Sequence, residues 1–120
     1  MTLFPYTTLF RSKKEIGAAG EMLAEEMLMR HGYRILCRNY RCPYGEIDLI
    51  GCDKEKIAFV EVKTRLSEAF GDGKEAVNRQ KQTHIKRAAG YFLSHTRAFY
   101  RETDFQVVEI KLTHMTNLVF

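Results

Sequence analysis

Residues 57–64 read IAFVEVKT and residues 45–51 read GEIDLIG, two short runs rich in β-branched and aromatic residues with Asp48, Glu61 and Lys63 set inside them. Runs of this kind form strands. Charged side chains embedded in apolar strands are costly unless they are paired or put to use. Successive side chains point to opposite faces, so Glu46, Asp48 and Ile50 should share one side, and Phe59, Glu61, Lys63 and Arg65 one side of the next strand. In a hairpin whose tip lies between Lys54 and Glu55, Asp48 falls directly opposite Glu61. Opposed Cβ atoms are about 5 Å apart, and two bare carboxylates at that distance repel, so the pair needs a cation, a shared proton or solvent between them. Lys63 lies on the same face two residues along, about 6.6 Å by strand rise.

The remainder of the chain supplies elements to bury such a hairpin. Residues 13–31 read as an amphipathic helix with Ile16, Ala19, Gly20, Leu23, Met27 and Leu28 as its stripe and Gly32 as its stop. A first strand is expected at 33–40, with turns at 43–45 and 52–56. A loop with Gly71 and Gly73 leads to a second helix over about 74–95, buried through Val77, Ile85, Ala88, Ala89, Phe92 and Leu93. A strand follows at 105–112, and 113–120 is a candidate further edge strand. The expected architecture is therefore α/β in the order α-β-β-β-α-β. With 120 residues, 45% of them hydrophobic, the chain has material for one modest core, which excludes a multidomain enzyme, a disordered tail and a collagenous chain. No apolar run approaches the roughly 18 residues of a membrane span.

Cys37, Cys42 and Cys52 are odd in number and lack a CxxC pair, which fits free thiols in a reducing cytoplasm better than a disulfide framework or a zinc site. The net charge of +4 is modest, but its distribution is not even. Residues 30–41 hold four arginines and no acid, residues 74–101 hold seven Lys/Arg against Glu75, and Glu46, Asp48, Asp53, Glu55 and Glu61 lie between. Basic flanks around an acidic cluster suit a protein that holds a polyanion over a metal; ordinary solvated faces are the competing reading.

An oxygen-only ligand set favours Mg2+ or Mn2+ over zinc. Phosphodiester hydrolysis fits such groups, the metal polarising the phosphate and acidifying a bound water while Lys63 orients that water or stabilises developing charge. The competing reading is an exposed strand face with common ion pairing; the apolar neighbours Ala58, Phe59 and Val60, and Ile47, Leu49 and Ile50, weigh against it. Arg65, Lys74, Lys81 and Arg87 are candidate phosphate contacts. Glu46, on the face of Asp48, is a supporting acid or marks the strand entrance. Tyr40, Phe70 and Tyr91 are expected in the core rather than as stacking platforms.

Gly45-Glu46-Ile47-Asp48-Leu49-Ile50 followed by Phe59-Val60-Glu61-Val62-Lys63-Thr64-Arg65 resembles the small bacterial endonuclease-like proteins called the YraN family, themselves similar to the restriction-endonuclease-like PD-(D/E)XK nucleases. Gly17, Gly20-Glu21, Arg38-Asn39-Tyr40, Lys81-Gln82 and Val107-Val108 stand in the family's order. The resemblance implies a restriction-endonuclease-like core, a mixed β-sheet flanked by helices. It implies Asp48 and Glu61 as metal ligands with the Val62 backbone carbonyl, Lys63 as the catalytic lysine and Glu21 as an additional acid. Gln82 is a candidate contact to substrate or to the metal water. The chain departs from the pattern at Asp104-Phe105-Gln106, where relatives usually read Arg-Phe-Asp. The function implied is a Mg2+-dependent endonuclease acting on nucleic acid, DNA before RNA, without a membrane and with a homodimer left open. A non-catalytic nucleic-acid-binding protein in DNA repair or uptake and a purely structural interaction domain are the alternatives.

The first twelve residues, MTLFPYTTLFRS, carry no helical or strand period, and residues 2–12 resemble the in-frame translation of a sequencing adaptor. They are expected to be a non-native segment, with residues 13–120 as a single domain; a natural arm is the rival. Sequencing the source locus across codons 1 to 12 checks this, and a continuous genomic reading frame there would contradict it.

Overall fold

Ser12 opens the first helix, α1 (Lys13–Arg30). Its backbone is extended and its hydroxyl accepts the Glu15 N–H at 3.2 Å, satisfying one of the donors that a helix start leaves unpaired. The last residue of the segment set apart by its sequence is thus part of the fold. Gly32, at φ +88°, takes the left-handed position that ends the helix. The computed structural model describes residues 12–65, 77–96 and 102–111. The segment up to residue 11, Phe70, the loop with Gly71 and Gly73, Lys74 and the edge strand expected at 113–120 lie outside the described residues.

Three strands follow α1: β1 (Arg34–Cys42), β2 (Gly45–Cys52) and β3 (Lys56–Arg65). The helix α2 (Arg79–Ser94) then leads to β4 (Glu102–Lys111). The sheet order is β1-β2-β3-β4, antiparallel except for the parallel β3–β4 pair. This is the α-β-β-β-α-β order and the mixed sheet flanked by helices that the sequence implies. Leu49 pairs with Val60, Ile50 with Phe59, Gly51 with Ala58 and Cys52 with Ile57, the register of a hairpin turning between Lys54 and Glu55. Asp53 fixes that turn by accepting the N–H groups of Glu55 and Lys56, each at 2.8 Å.

β3 is an inner strand with apolar residues on both faces. Ile57 and Phe59 join Ile47, Ile50, Ile85, Ala88 and Ala89 beneath α2, and Ala58 and Val60 join Leu49, Val108, Ala24 and Leu28 beneath α1. Tyr40 packs edge-on to Phe92 at 5.2 Å, within the core as expected. Cys52 is buried, Cys37 and Cys42 are half-buried, and all three are free thiols.

Several bounds and one stripe differ from expectation. α2 starts at Arg79 rather than near residue 74, because Asn78 caps it by accepting the Lys81 N–H at 2.8 Å. β4 starts at Glu102, three residues early. In α1 the buried line is Ile16, Gly20, Ala24 and Leu28, whereas Leu23 and Met27 stay exposed at 44% and 37%. The helix lies against β3 on that line: a Cβ built on Gly20 would meet Thr64 Oγ1 of β3 at 1.7 Å, so only glycine fits at that point of the contact. Among the described residues no helix is long and apolar enough to cross a membrane.

Gly20 and Gly17 therefore respond oppositely to alanine. At Gly20 the new methyl meets the whole Thr64 side chain, an overpacking at the upper end of about 1–3 kcal/mol that outweighs the helix gain of about 1 kcal/mol. At Gly17 nothing lies within 4 Å of the new Cβ, so the helix gain stands alone. Thermal denaturation should show a lower Tm for Gly20→Ala and a higher one for Gly17→Ala, by about 4–8 °C per kcal/mol; equal shifts would contradict the close α1–β3 contact.

Candidate active site

The β2–β3 ladder ends at Leu49–Val60, one pair before Asp48 would meet Glu61. Beyond that point the Val62 N–H donates to Asp48 Oδ2 at 2.7 Å, so a side-chain carboxylate takes the place of a strand carbonyl. On its other side Asp48 faces Asn39, which lies between the pairs Arg38–Leu49 and Tyr40–Ile47 and has φ 51°, a left-handed conformation that asparagine tolerates. Ile47 and Ile50 both belong to the cluster under α2, so strict alternation breaks between them. Asp48 accordingly lines a cleft beside α1 instead of sharing the face of Ile50, which corrects the expectation from simple alternation.

That cleft has a volume of about 550 Å³ and is bordered by Gly17, Glu21, Asp48, Glu61, Val62 and Arg65. Among the described residues Glu61 is the buried charged side chain, 6% exposed. It also reaches toward α2, where Lys81 Nζ stands 2.5 Å from its Oε1, and Lys63 Nζ lies 3.8 Å from the same oxygen. Burial pushes Asp48 up to about 6 against the pull of the Val62 N–H; the charges of Glu61 and Glu21 and a hydrogen bond to Glu61 push the same way. Burial and the Glu61 charge raise Glu21 as well. Lys63 is lowered by burial and by the neighbouring Lys81 ammonium. Burial alone would lower Lys81, but the contact with Glu61 outweighs it and its value rises.

The structure thus gathers Glu21, Asp48, Glu61, Lys63 and Arg65, and adds Lys81 as a direct partner of Glu61 rather than an outlying cation. Glu46 is not brought in: it is exposed and paired with Arg41 at 3.1 Å. Gln82 donates to the Val77 carbonyl at 3.2 Å and borders a different cavity, between α2 and β4. Arg65 Nε stands 3.2 Å from Glu109 Oε1, and Arg87 is exposed on α2. Three of the four arginines in the first basic segment are occupied, Arg30 by Glu26, Arg38 by Glu25 and Arg41 by Glu46, with carboxylates from elsewhere in the chain. Gln106 donates to Tyr33 Oη at 3.4 Å. The role of Lys81 had one sequence signal: the first turn of α2 carries Arg79 and Lys81 and no acid, the reverse of what a helix dipole favours.

Among the described residues no three His, Cys, Asp or Glu side chains form a closed metal-binding group. The donor set is instead two carboxylates, Asp48 and Glu61, with Glu21 also bordering the cleft. That fits Mg2+ or Mn2+, ions commonly held by one or two carboxylates while water and substrate phosphate fill the remaining positions. Burial first, and the charges of Glu61 and Glu21 after it, keep a proton on Asp48 up to about 6, and a divalent cation between the carboxylates would offset both.

The profile of the family described as "Uncharacterised protein family UPF0102" matches residues 20–110. A UPF0102 protein of Caldicellulosiruptor bescii is 48% identical over 109 residues, covering 88% of this chain and 89% of that one. A UPF0102 protein of Syntrophomonas wolfei is 44% identical over 87% of this chain and 96% of its own, and one of Desulfosudis oleivorans 41% identical over 86% and 84%. Among solved structures, a repair endonuclease from Pyrococcus abyssi overlays 83% of this chain with a TM-score of 0.44 and 17% identity, and the chain spans 38% of that protein's length.

Asp48 holds its proton more tightly folded than unfolded, so its contribution to stability is fully present below the ordinary value of 3.8 and is lost as pH rises through about 6. Carboxyl NMR of the metal-free protein should give Asp48 a midpoint near 6, and Asp48→Asn should flatten the pH dependence of Tm between 4 and 6. A midpoint at the ordinary 3.8 would contradict the burial of Asp48 beside Glu61 and Glu21.

Proposed function

The chain belongs to the UPF0102 family, the family its motifs resemble, and from that premise we propose that it is a metal-dependent endonuclease hydrolysing phosphodiester bonds of nucleic acid, DNA before RNA. The observation that carries the reading is the buried Glu61 sharing one cleft with Asp48 and approached by Lys63 at 3.8 Å. Surface ion pairing does not require a carboxylate at 6% exposure in an inner strand, where desolvation costs several kcal/mol.

Asp48, Glu61 and the Val62 carbonyl would hold Mg2+ or Mn2+. Bound there, the ion supplies Lewis-acid polarisation of the phosphate and acidification of water. Lys63 contributes an ammonium whose hold on its proton is loosened by burial and by Lys81, suited to orienting a water and to stabilising charge on phosphate oxygens. Glu21, its proton affinity raised, offers a second carboxyl at the α1 wall. Arg87, exposed on α2, would meet backbone phosphates, and Arg65, which borders the cleft and is paired with Glu109, would do so at the cleft edge.

Incubating the protein with branched, single-stranded and duplex DNA and with RNA, in Mg2+ or Mn2+, should reveal cleavage that falls about 100-fold or more in Asp48→Ala and Lys63→Ala. Arg87→Ala should lower binding uniformly and reduce the salt slope by about one. Salt-dependent binding without metal-dependent cleavage would replace the nuclease with a non-catalytic binder of the same fold, and neither activity would point to an interaction domain.

A further inference from the structure

Lys81 sits in the first turn of α2, a position where the helix dipole disfavours a cation and where no acid offsets it. Its side chain leaves the helix and crosses to β3, ending 2.5 Å from Glu61 Oε1. Glu61 is at once the carboxylate missing from that helix start and, among the described residues, the buried charged side chain that most needs a partner. Lys63 stands 3.8 Å from the same oxygen. One carboxylate oxygen therefore already faces two ammonium groups, and a divalent cation approaching Glu61 and Asp48 adds a third positive centre to it.

We propose that Lys81 is a positioning residue of this site: a resident counter-ion that holds Glu61 buried and oriented when no divalent metal is bound and gives up its contact when one enters. The proposal rests on the reading of Asp48 and Glu61 as metal ligands given above. Metal binding is on this account an exchange of one cation for another, so Lys81 weakens affinity for the ion while preserving the cleft that receives it. A lysine that merely ties α2 to the sheet would stabilise the fold equally in the presence and absence of metal.

Titration calorimetry with Mn2+ on the full chain, together with Tm with and without Mn2+, separates these roles in the wild type, Lys81→Met and Lys81→Arg. Lys81→Met should bind Mn2+ about tenfold more tightly, since a like charge a few ångströms from the ion is removed. Its metal-free Tm should drop, and Mn2+ should raise that Tm by more than it raises the wild type's. Lys81→Arg, which keeps the charge, should stay near the wild type in both. Equal Mn2+ affinities in the wild type and Lys81→Met overturn the role of Lys81 alone; failure of the wild type to bind Mn2+ overturns the reading of the metal site itself. If Lys81→Met does not fold, lysine side-chain NMR of the wild type during Mg2+ titration decides: a saturating shift of the Lys81 resonance supports the exchange, and an unmoved resonance overturns it.

Discussion

A carboxylate buried in an inner strand is the constraint on which the rest of this fold turns. Glu61 follows four residues of β3, Ile57 to Val60, that fill both faces of the sheet, and it stays buried itself except where it borders the cleft. The surrounding chain compensates in two ways. α2 contributes Lys81 and β3 itself contributes Lys63, both at one oxygen. On the other side the β2–β3 ladder stops before Asp48 is forced into direct opposition, and the Val62 N–H that the ladder would have used is taken by the Asp48 carboxylate. The sheet thus uses an unfinished strand pair to bring two acids together without losing a backbone hydrogen bond.

The helices serve this arrangement differently. α1 approaches β3 so closely at Gly20 and Thr64 that it sets the wall of the cleft and brings Glu21 into it. α2 covers the opposite face with Ile85, Ala88 and Ala89 while its first turn reaches Glu61. The site consequently lies where the two layers meet around one end of the β2–β3 hairpin, and its residues come from four elements.

Much of this was legible in the sequence because a strand's period is short and its consequences are local. The alternation of residues 45–51 and 57–64, with a turn at Lys54 and Glu55, suffices to give the β2–β3 register. What was not legible depends on contacts between distant segments. Gly20 and Ala24 carry little hydrophobic signal, so Leu23 and Met27 look like the better buried stripe until Thr64 is known to press against the helix. The break in alternation at Asp48 lies opposite Asn39, whose left-handed conformation on the neighbouring strand no pattern of apolar residues announces. The basic segment at 30–41 looked open because its acids, Glu25, Glu26 and Glu46, are supplied from outside it. Lys81 resembled a surface cation, and only the reversed charge of its helix start hinted at a carboxylate across the sheet.

The central claim is that Asp48 and Glu61 together form a seat for a hard divalent cation. A crystal structure of the protein grown with Mn2+, with anomalous data collected at the manganese edge, addresses it most directly. One strong anomalous peak is expected within coordinating distance of both carboxylates and of the Val62 carbonyl. Manganese bound elsewhere, with Asp48 still accepting only the Val62 N–H and Glu61 still held by Lys81, would contradict it.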